Sequence, residues 1–281
     1  MSGRPFVLAE TNWDVVVVGG GAAGLSAALV LGRARRRVLV VDAGAPSNAT
    51  AEGIGGLLGH DGRPPAELYA LAHEELTQYP SVEVRSGLVT TGEAGFRLGL
   101  DDGTTVTTDR ILLATGMAYR YPDVPGIAER WGRTVFHCPF CHGWEVRDRS
   151  LVVLDDGDGN GEHRVALLKG WSDDVTLLPV EDVTGIEDDG VRLADGRLHP
   201  AGGVLVPVTM HQRSDLPQQL GVALGPVGLA PDGILTDPTN ATSVPGIWAA
   251  GDVNPTLPSV AASIASGSLA AAMIVKDTMS L

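Results

Sequence analysis

Both cysteines of the chain fall within one ten-residue stretch, FHCPFCHGWE, from Phe136 to Glu145. Cys138 and Cys141 stand at C-x-x-C spacing, with His137 and His142 directly outside them. Thiols so placed can close a small redox loop, and such pairs often carry a depressed thiolate pKa. The imidazoles titrate near neutral pH and could move the protons that thiol exchange requires. Two other readings stay open on these residues alone. Two thiolates and two imidazoles could hold zinc, although there is no second Cys/His pair at zinc-finger spacing. Alternatively, the cysteines are small, buried and inert. No metal is expected here, because neighbouring residues of an extended segment point apart.

A second chemical signal lies near the start. Gly19-Gly20-Gly21-Ala22-Ala23-Gly24 fits G-x-G-x-x-G, directly after the β-branched run Asp14–Val18. In a strand–turn–helix context Gly19 allows the tight turn. Gly21 lets the backbone approach a pyrophosphate, and Gly24 lets the helix pack on the strand. The opened helix offers unpaired N–H groups to phosphate, beside the backbone of Ala22 and Ala23. Asp42 ends the next strand, where an acid can hold ribose hydroxyls.

These residues need elements to position them, and the composition permits an α/β protein. Of 281 residues, 44 % are apolar and 37 are glycine, and the net charge is −14. That charge argues against nucleic acid and against an anionic membrane face. Val15–Leu31 is apolar but interrupted by glycines, and Val260–Val275 is too short to span comfortably, so no membrane is expected. The start, MSGRPFVLAETNWD, lacks a basic segment followed by an apolar one, and residues 1–12 read as a loose tail. A cytoplasmic location is expected.

The periodicities predict strand, helix and strand over Asp14–Val18, Leu25–Arg35 and Arg37–Val41, then a helix over Pro65–Gln78 with Leu68, Leu71 and Leu76 facing inward. Strands are expected at Val82–Val89, Arg97–Leu100 and Arg110–Ala114. YRYPDVPG, from Tyr119, reads as a linker. A second unit follows: the C-x-x-C segment, a strand at Leu151–Leu154, a glycine turn, a helix at Arg164–Lys169 and strands at Val175–Leu178 and Gly203–Pro207. Ile247–Ala250 reads as a strand and about Ser259–Val275 as a helix. The expected fold is α/β with two Rossmann-like dinucleotide-binding domains, the first discontinuous: residues 1–118 and 231–281 around a shortened domain at 119–230.

In order and spacing, these motifs resemble the low-molecular-weight thioredoxin reductase family over nearly the whole chain, and within it the branch of small-molecule dithiol oxidases of gliotoxin and holomycin type. The carrying residues are Gly19–Gly24, Ala114-Thr115-Gly116, Cys138–Cys141 and TSVPGIWAAGDV with Gly251-Asp252. CPFCHGWEVRD, with His142 after the second cysteine where thioredoxin reductases have Asp, points to that branch, as do Asp42-Ala43-Gly44 and Asn48. The resemblance implies FAD, with Asp252 at the ribityl chain, the helix beginning near Val260 aimed at the pyrimidine, and Val89 near adenine. It implies Cys141 facing the flavin, Cys138 as the exchanging thiol, and a homodimer. Ser47 and Pro258-Ser259 depart from the family pattern. His60, in GLLGHDG, falls in a loop resembling the branch's substrate side. Phe140, Trp144 and Trp171 read as core or pocket walls. Of the histidines, His142 is the first candidate base and His137 the second.

The family's second unit takes NADPH. Here its turn reads Asp155-Asp156-Gly157-Asp158-Gly159-Asn160-Gly161-Glu162, with Glu162 at the third small position, and the next strand leads to Glu181-Asp182 where arginines would meet a 2′-phosphate. Two like charges about 4 Å apart repel by roughly 4 kcal/mol at a surface-like dielectric. That predicts a vestigial unit that does not bind NADPH; the contrary reading is a shifted loop, Gly157-x-Gly159-x-Gly161. Electrons would then enter through a small-molecule dithiol and leave to O2. The alternatives are a disulfide reductase fed by NADPH or ferredoxin, and a non-enzymatic flavin sensor.

Overall fold

Four valines in a row, Val15–Val18, are almost completely buried, as a strand covered on both faces requires. They begin the fold in the computed structural model, which describes residues 12–93, 95–254 and 258–279. The tail expected over residues 1–12 lies outside the described residues except for Asn12, which pairs with Thr107. In chain order the elements that matter here are β1 (Val15–Val18), α1 (Ala22–Arg33), β2 (Val38–Asp42), β3 (Val82–Ser86), β4 (Ile111–Leu113), β5 (Val135–Phe136), β6 (Leu151–Asp155), α2 (Gly161–Leu168), β7 (Val175–Pro179), β8 (Gly203–Leu205), β9 (Ile247–Ala249) and α3 (Val260–Met279).

The chain divides into two compact units: residues 1–46, 69–118 and 211–281, and residues 47–68 and 119–210. The first holds a parallel sheet in the order β9-β4-β1-β2-β3. Its connections reverse direction at β1, so the carboxyl ends of β1 and β4 form the switch point at which open α/β sheets bind ligands. Its core runs from Val15, Val17, Val38 and Val40 to Ala27, Ala28 and Leu31 of α1 and Ala270, Ala271 and Ile274 of α3. Small residues allow the two helices to approach closely. A Cβ on Gly267 would lie 2.1 Å from the Ala23 carbonyl oxygen, and the Ser26 hydroxyl donates to the Ile264 carbonyl at 3.0 Å.

The second unit has its own parallel sheet, β5-β8-β6-β7. One face packs Val152, Leu154, Val204 and Val206; the other packs Phe136, Leu151, Val153 and Leu205 with Val165 and Leu168 of α2. Two α/β units with parallel sheets agree with the expected fold class, and both are discontinuous in sequence, the second also taking up residues 47–68.

Some local expectations are corrected. The helix Pro65–Leu76 packs through Tyr69, Ala72 and Leu76, spaced i, i+3, i+7, whereas Leu71 is 38 % exposed. Leu71 sits one residue, or about 100°, from Ala72 and so leaves the stripe. The strand expected over Val82–Val89 breaks at Gly87, whose φ is +155°, into Val82–Ser86 and Val89–Glu93. The linker expected from Tyr119 begins inside a strand, Met117–Arg120.

Candidate active site

In the first unit the glycines are fixed by what surrounds them. A Cβ on Gly19 would fall 2.3 Å from the Ala114 carbonyl oxygen, and one on Gly24 1.9 Å from that of Gly19. Gly21, by contrast, has no heavy atom within 4 Å of the corresponding point. It stands at the start of α1, where no side chain caps the helix and no acid occupies the first turn. Uncapped N–H groups beside an open glycine make a cradle for a pyrophosphate. The backbone of Ala22 and Ala23 opens that helix, and Ala114, Thr115 and Gly116 follow β4 beside it; the Ala114 N–H donates to Val18 at 2.8 Å.

Asp42 ties this region together. Its Oδ1 accepts the backbone N–H of Gly20 at 3.2 Å and of Gly44 at 3.1 Å. It also lines a cleft of about 450 Å³ with Ala43, Gly44, Ser86, Gly87, Leu88 and Asp101. Val89, expected near adenine, is buried one residue beyond that lining. On the other side Gly251 donates to the Ser266 hydroxyl at 2.8 Å, and the Ser263 hydroxyl donates to Asp252 at 3.4 Å. Ser259, just before Val260, caps α3 by accepting the Ala262 N–H at 3.1 Å. The uncapped helix, the open glycine and the acid-lined cleft fit a dinucleotide such as FAD. Asn48 and His60 lie in the 47–68 segment, which packs with the second unit.

In the second unit the two thiols are reduced and adjacent. Pro139–His142 forms one helical turn with Cys138 at its N-cap. The Cys141 thiol donates to the Cys138 sulfur at 3.0 Å. That bond is the main reason the Cys138 thiol is lowered to about 7, and the backbone of Cys141 and Phe140 adds to it, while burial opposes. Cys138 is buried and Cys141 half-buried. Gly55 passes so close that a Cβ there would meet the Cys141 carbonyl oxygen at 2.5 Å, which brings the His60-bearing segment against the redox turn.

The two histidines occupy different surroundings. His137 lies among aromatic rings, 4.8 Å from Tyr119 and 5.8 Å from Trp131 by centroids. Burial, with His142 nearby, pushes it down to about 4, so it is neutral and weakly basic at pH 7. His142 stacks on Phe136 at 5.7 Å, and its Nε2 lies 3.1 Å from the Gly132 carbonyl. Burial lowers its pKa, and the bond to Gly132 and the charge of Glu145 oppose the fall. Phe140 and Trp144, expected as core or pocket walls, are 60 % and 65 % exposed, and only Trp171 is half-buried among them.

The second glycine turn is built differently from the first. Five residues separate β6 from α2, where three separate β1 from α1. Asp158 accepts the N–H of Asn160, the residue before the helix, at 2.8 Å, and takes both ends of the Arg164 guanidinium, one of them at 3.0 Å. Arg164 also reaches Asp156 at 3.9 Å. The guanidinium holds the Asp158 carboxyl down at about 2. An internal carboxylate thus sits at the first turn of α2, and the small residue opening that helix is Gly161, against the Asp155 side chain, with Glu162 one position further on.

Two contributors carry no motif. Arg213 donates from Nη1 to the Ala45 carbonyl at 2.7 Å and from Nε to the Met117 carbonyl at 3.3 Å, linking the loop that follows β2 to the strand Met117–Arg120. Gly132 holds His142. Neither is announced by neighbouring sequence, because each acts through backbone groups distant along the chain.

An uncapped, glycine-opened dinucleotide loop in one unit and a C-x-x-C thiol pair in the other define a flavoprotein disulfide oxidoreductase. The chain belongs to the pyridine nucleotide-disulphide oxidoreductase family, whose model matches residues 13–157 and 171–267. It is 30 % identical to thioredoxin reductase aclD of Aspergillus oryzae, over 96 % of this chain and 98 % of the relative. It is 29 % identical to thioredoxin reductase tcpT of Claviceps purpurea, over 92 % of each. Among solved structures it matches an oxidoreductase from Agrobacterium tumefaciens at TM-score 0.89 and 32 % identity, covering 96 % of this chain and 99 % of that one. It matches HlmI at TM-score 0.87 and 36 % identity, covering 96 % and 93 %. The resemblance to thioredoxin reductases read from the motif order is borne out.

Proposed function

We propose that the protein is an FAD-dependent dithiol oxidase that closes a disulfide in a small-molecule dithiol, with O2 as the final electron acceptor. The observation that carries this reading is the second glycine turn. There Asp158, locked by Arg164, stands where a pyridine nucleotide would bring its pyrophosphate, so the entrance for electrons falls to the thiols.

The chemistry starts from the oxidised Cys138–Cys141 pair. His142 takes a proton from one substrate thiol. The resulting thiolate attacks the Cys138 sulfur, forms a mixed disulfide and releases Cys141 as thiolate. The second substrate thiol then gives its proton to the Cys141 thiolate and attacks the substrate sulfur of that mixed disulfide. A cyclic disulfide leaves, and Cys138 departs as a thiolate that the re-protonated Cys141, donating its S–H and lowering the Cys138 pKa, makes a good leaving group. His137, held neutral and weakly basic, is the poorer base. Gly19, Gly21, Gly24, Asp42, Gly251 and Asp252 would hold FAD, which when bound supplies the two-electron acceptor for the reduced pair and passes those electrons to oxygen as peroxide.

The second reading is an NADPH-fed disulfide reductase, favoured by the name thioredoxin reductase that relatives carry. Anaerobic mixing separates the two. The oxidase reading expects the flavin to keep its colour with NADPH and to bleach with a small dithiol, followed by oxygen uptake on aeration. Bleaching by NADPH within seconds would overturn it.

A further inference from the structure

The Gly132 carbonyl can only accept a hydrogen bond. Its 3.1 Å contact with His142 Nε2 therefore puts the proton of the neutral ring on Nε2. The remaining nitrogen, Nδ1, is buried and has no hydrogen-bond partner among the described residues. An unpaired acceptor in such a place costs stability, so the ring is held there by its other contacts. Phe136 stacks on one face at 15° between planes, and the Gly132 carbonyl fixes the edge.

That carbonyl is itself aimed by a turn that only glycine fits. Gly132 has φ +78°, and its N–H donates to Val135 at 2.9 Å. A Cβ there would fall 2.6 Å from Thr50 Oγ1 and 3.2 Å from the Ala51 nitrogen. The 47–68 segment thus backs the turn from behind. All of these residues belong to one compact unit, so the arrangement is set by local packing.

We infer that Gly132 is a positioning residue: its carbonyl selects the Nε2–H tautomer of His142 and makes Nδ1 the ring's sole proton-accepting atom. This rests on the reading of His142 as the base of the dithiol reaction. The groups around the ring that bear on its protonation are Glu145, whose charge favours it, His137, which is neutral at pH 7, and the Cys138 carbonyl, which also favours it but makes no full hydrogen bond to the ring, so that the 3.1 Å contact to Gly132 is the one that sets the tautomer. Burial works against protonation. The neutral, accepting form therefore prevails as pH rises through the lowered pKa.

The test uses the full flavin-loaded protein, reduced and labelled with 15N-histidine. Long-range 15N–1H correlation at pH 8 reads the tautomer directly. The expected result is His142 protonated at Nε2 alone; an Nδ1–H tautomer would overturn the inference whatever the activity. Stopped-flow exchange with dithiothreitol then separates it from the reading beneath. His142→Gln keeps an N–H for the Gly132 carbonyl but offers no acceptor at the Nδ1 position, so the rate should fall about 10²–10⁴-fold with flavin content unchanged. A full rate in that variant would remove His142 as base. A slowed H142Q beside an Nδ1–H wild type would keep the base and discard the role of Gly132. G132A, where it folds, should show mixed tautomers and a displaced pH–rate limb. Lower yield with an unchanged tautomer and profile would mean that Gly132 shapes only the turn.

Discussion

The two glycine-opened turns of this molecule start from the same plan, a buried parallel strand running into a helix, and end with different surroundings at the helix start. At Gly19–Gly24 the helix begins three residues after the strand, with no capping side chain and an open glycine at its tip. At Asp156–Asn160 the connection is two residues longer, and a carboxylate bound by Arg164 occupies the helix start. The architecture alone does not decide what binds. What differs between the two is the length of the turn and the charge beside the first N–H groups of the helix.

The first way to break the comparison is at the glycines. Gly24→Val places atoms on a backbone oxygen already 1.9 Å from an added Cβ, and the expected outcome is loss of bound flavin, read as the ratio of 450 to 280 nm absorbance in the purified protein. Gly159→Ala meets nothing within 4 Å, and its φ of +81° should cost only about 1–2 kcal/mol in urea unfolding, with flavin retained. Equal flavin loss in both variants would mean that the two turns do the same job.

The second unit should fail at sulfur instead. Cys138→Ser and Cys141→Ser are each expected to lower dithiol turnover at least about 10³-fold while leaving the flavin bound, because thiolate attack has no substitute. Residual turnover above a few per cent in either variant would point to another thiol acceptor. The pH dependence sharpens this further. Cys138 is lowered from 9.0 to about 7, so its thiolate appears as pH rises through about 7. Iodoacetamide labelling of the reduced protein should quicken roughly tenfold between pH 6 and 8 and then level off; a midpoint near 9 would show that the Cys141 thiol does not support it.

The smallest effect concerns the acids. Asp156→Asn with Asp158→Asn should change stability by no more than about 1 kcal/mol, since the ion pairs to Arg164 lie at the surface. On the proposed reading, calorimetry should find no NADPH binding by the wild type and weak affinity gained in the same double variant. Micromolar binding by the wild type would end the contrast between the turns.

Much of this was legible in the sequence because the informative residues act locally. Gly19 and Gly24 are demanded by backbone atoms a few residues away or on the neighbouring strand, and C-x-x-C is a feature of one helical turn. The acids of the second turn announced their charge, but not that Asp158 would turn inward to Arg164. Leu71 was misjudged because two overlapping stripes are possible on its helix, and tertiary packing selects the one through Ala72. Gly132 and Arg213 stayed hidden for a simpler reason. Each works through main-chain carbonyls, which every residue type carries, so no side-chain pattern marks their partners.

The first unit is assembled from three separate stretches, and its final helix braces the flavin-type loop through Gly267, Ser263 and Ser266. The nested unit is finished by residue 210. During synthesis from the amino end, the thiol machinery can thus mature while the cofactor cradle still lacks its last buttress. In that order flavin loading would be a late event in the life of the chain, and a cell short of flavin would accumulate molecules whose thiol turn is formed before the cofactor arrives.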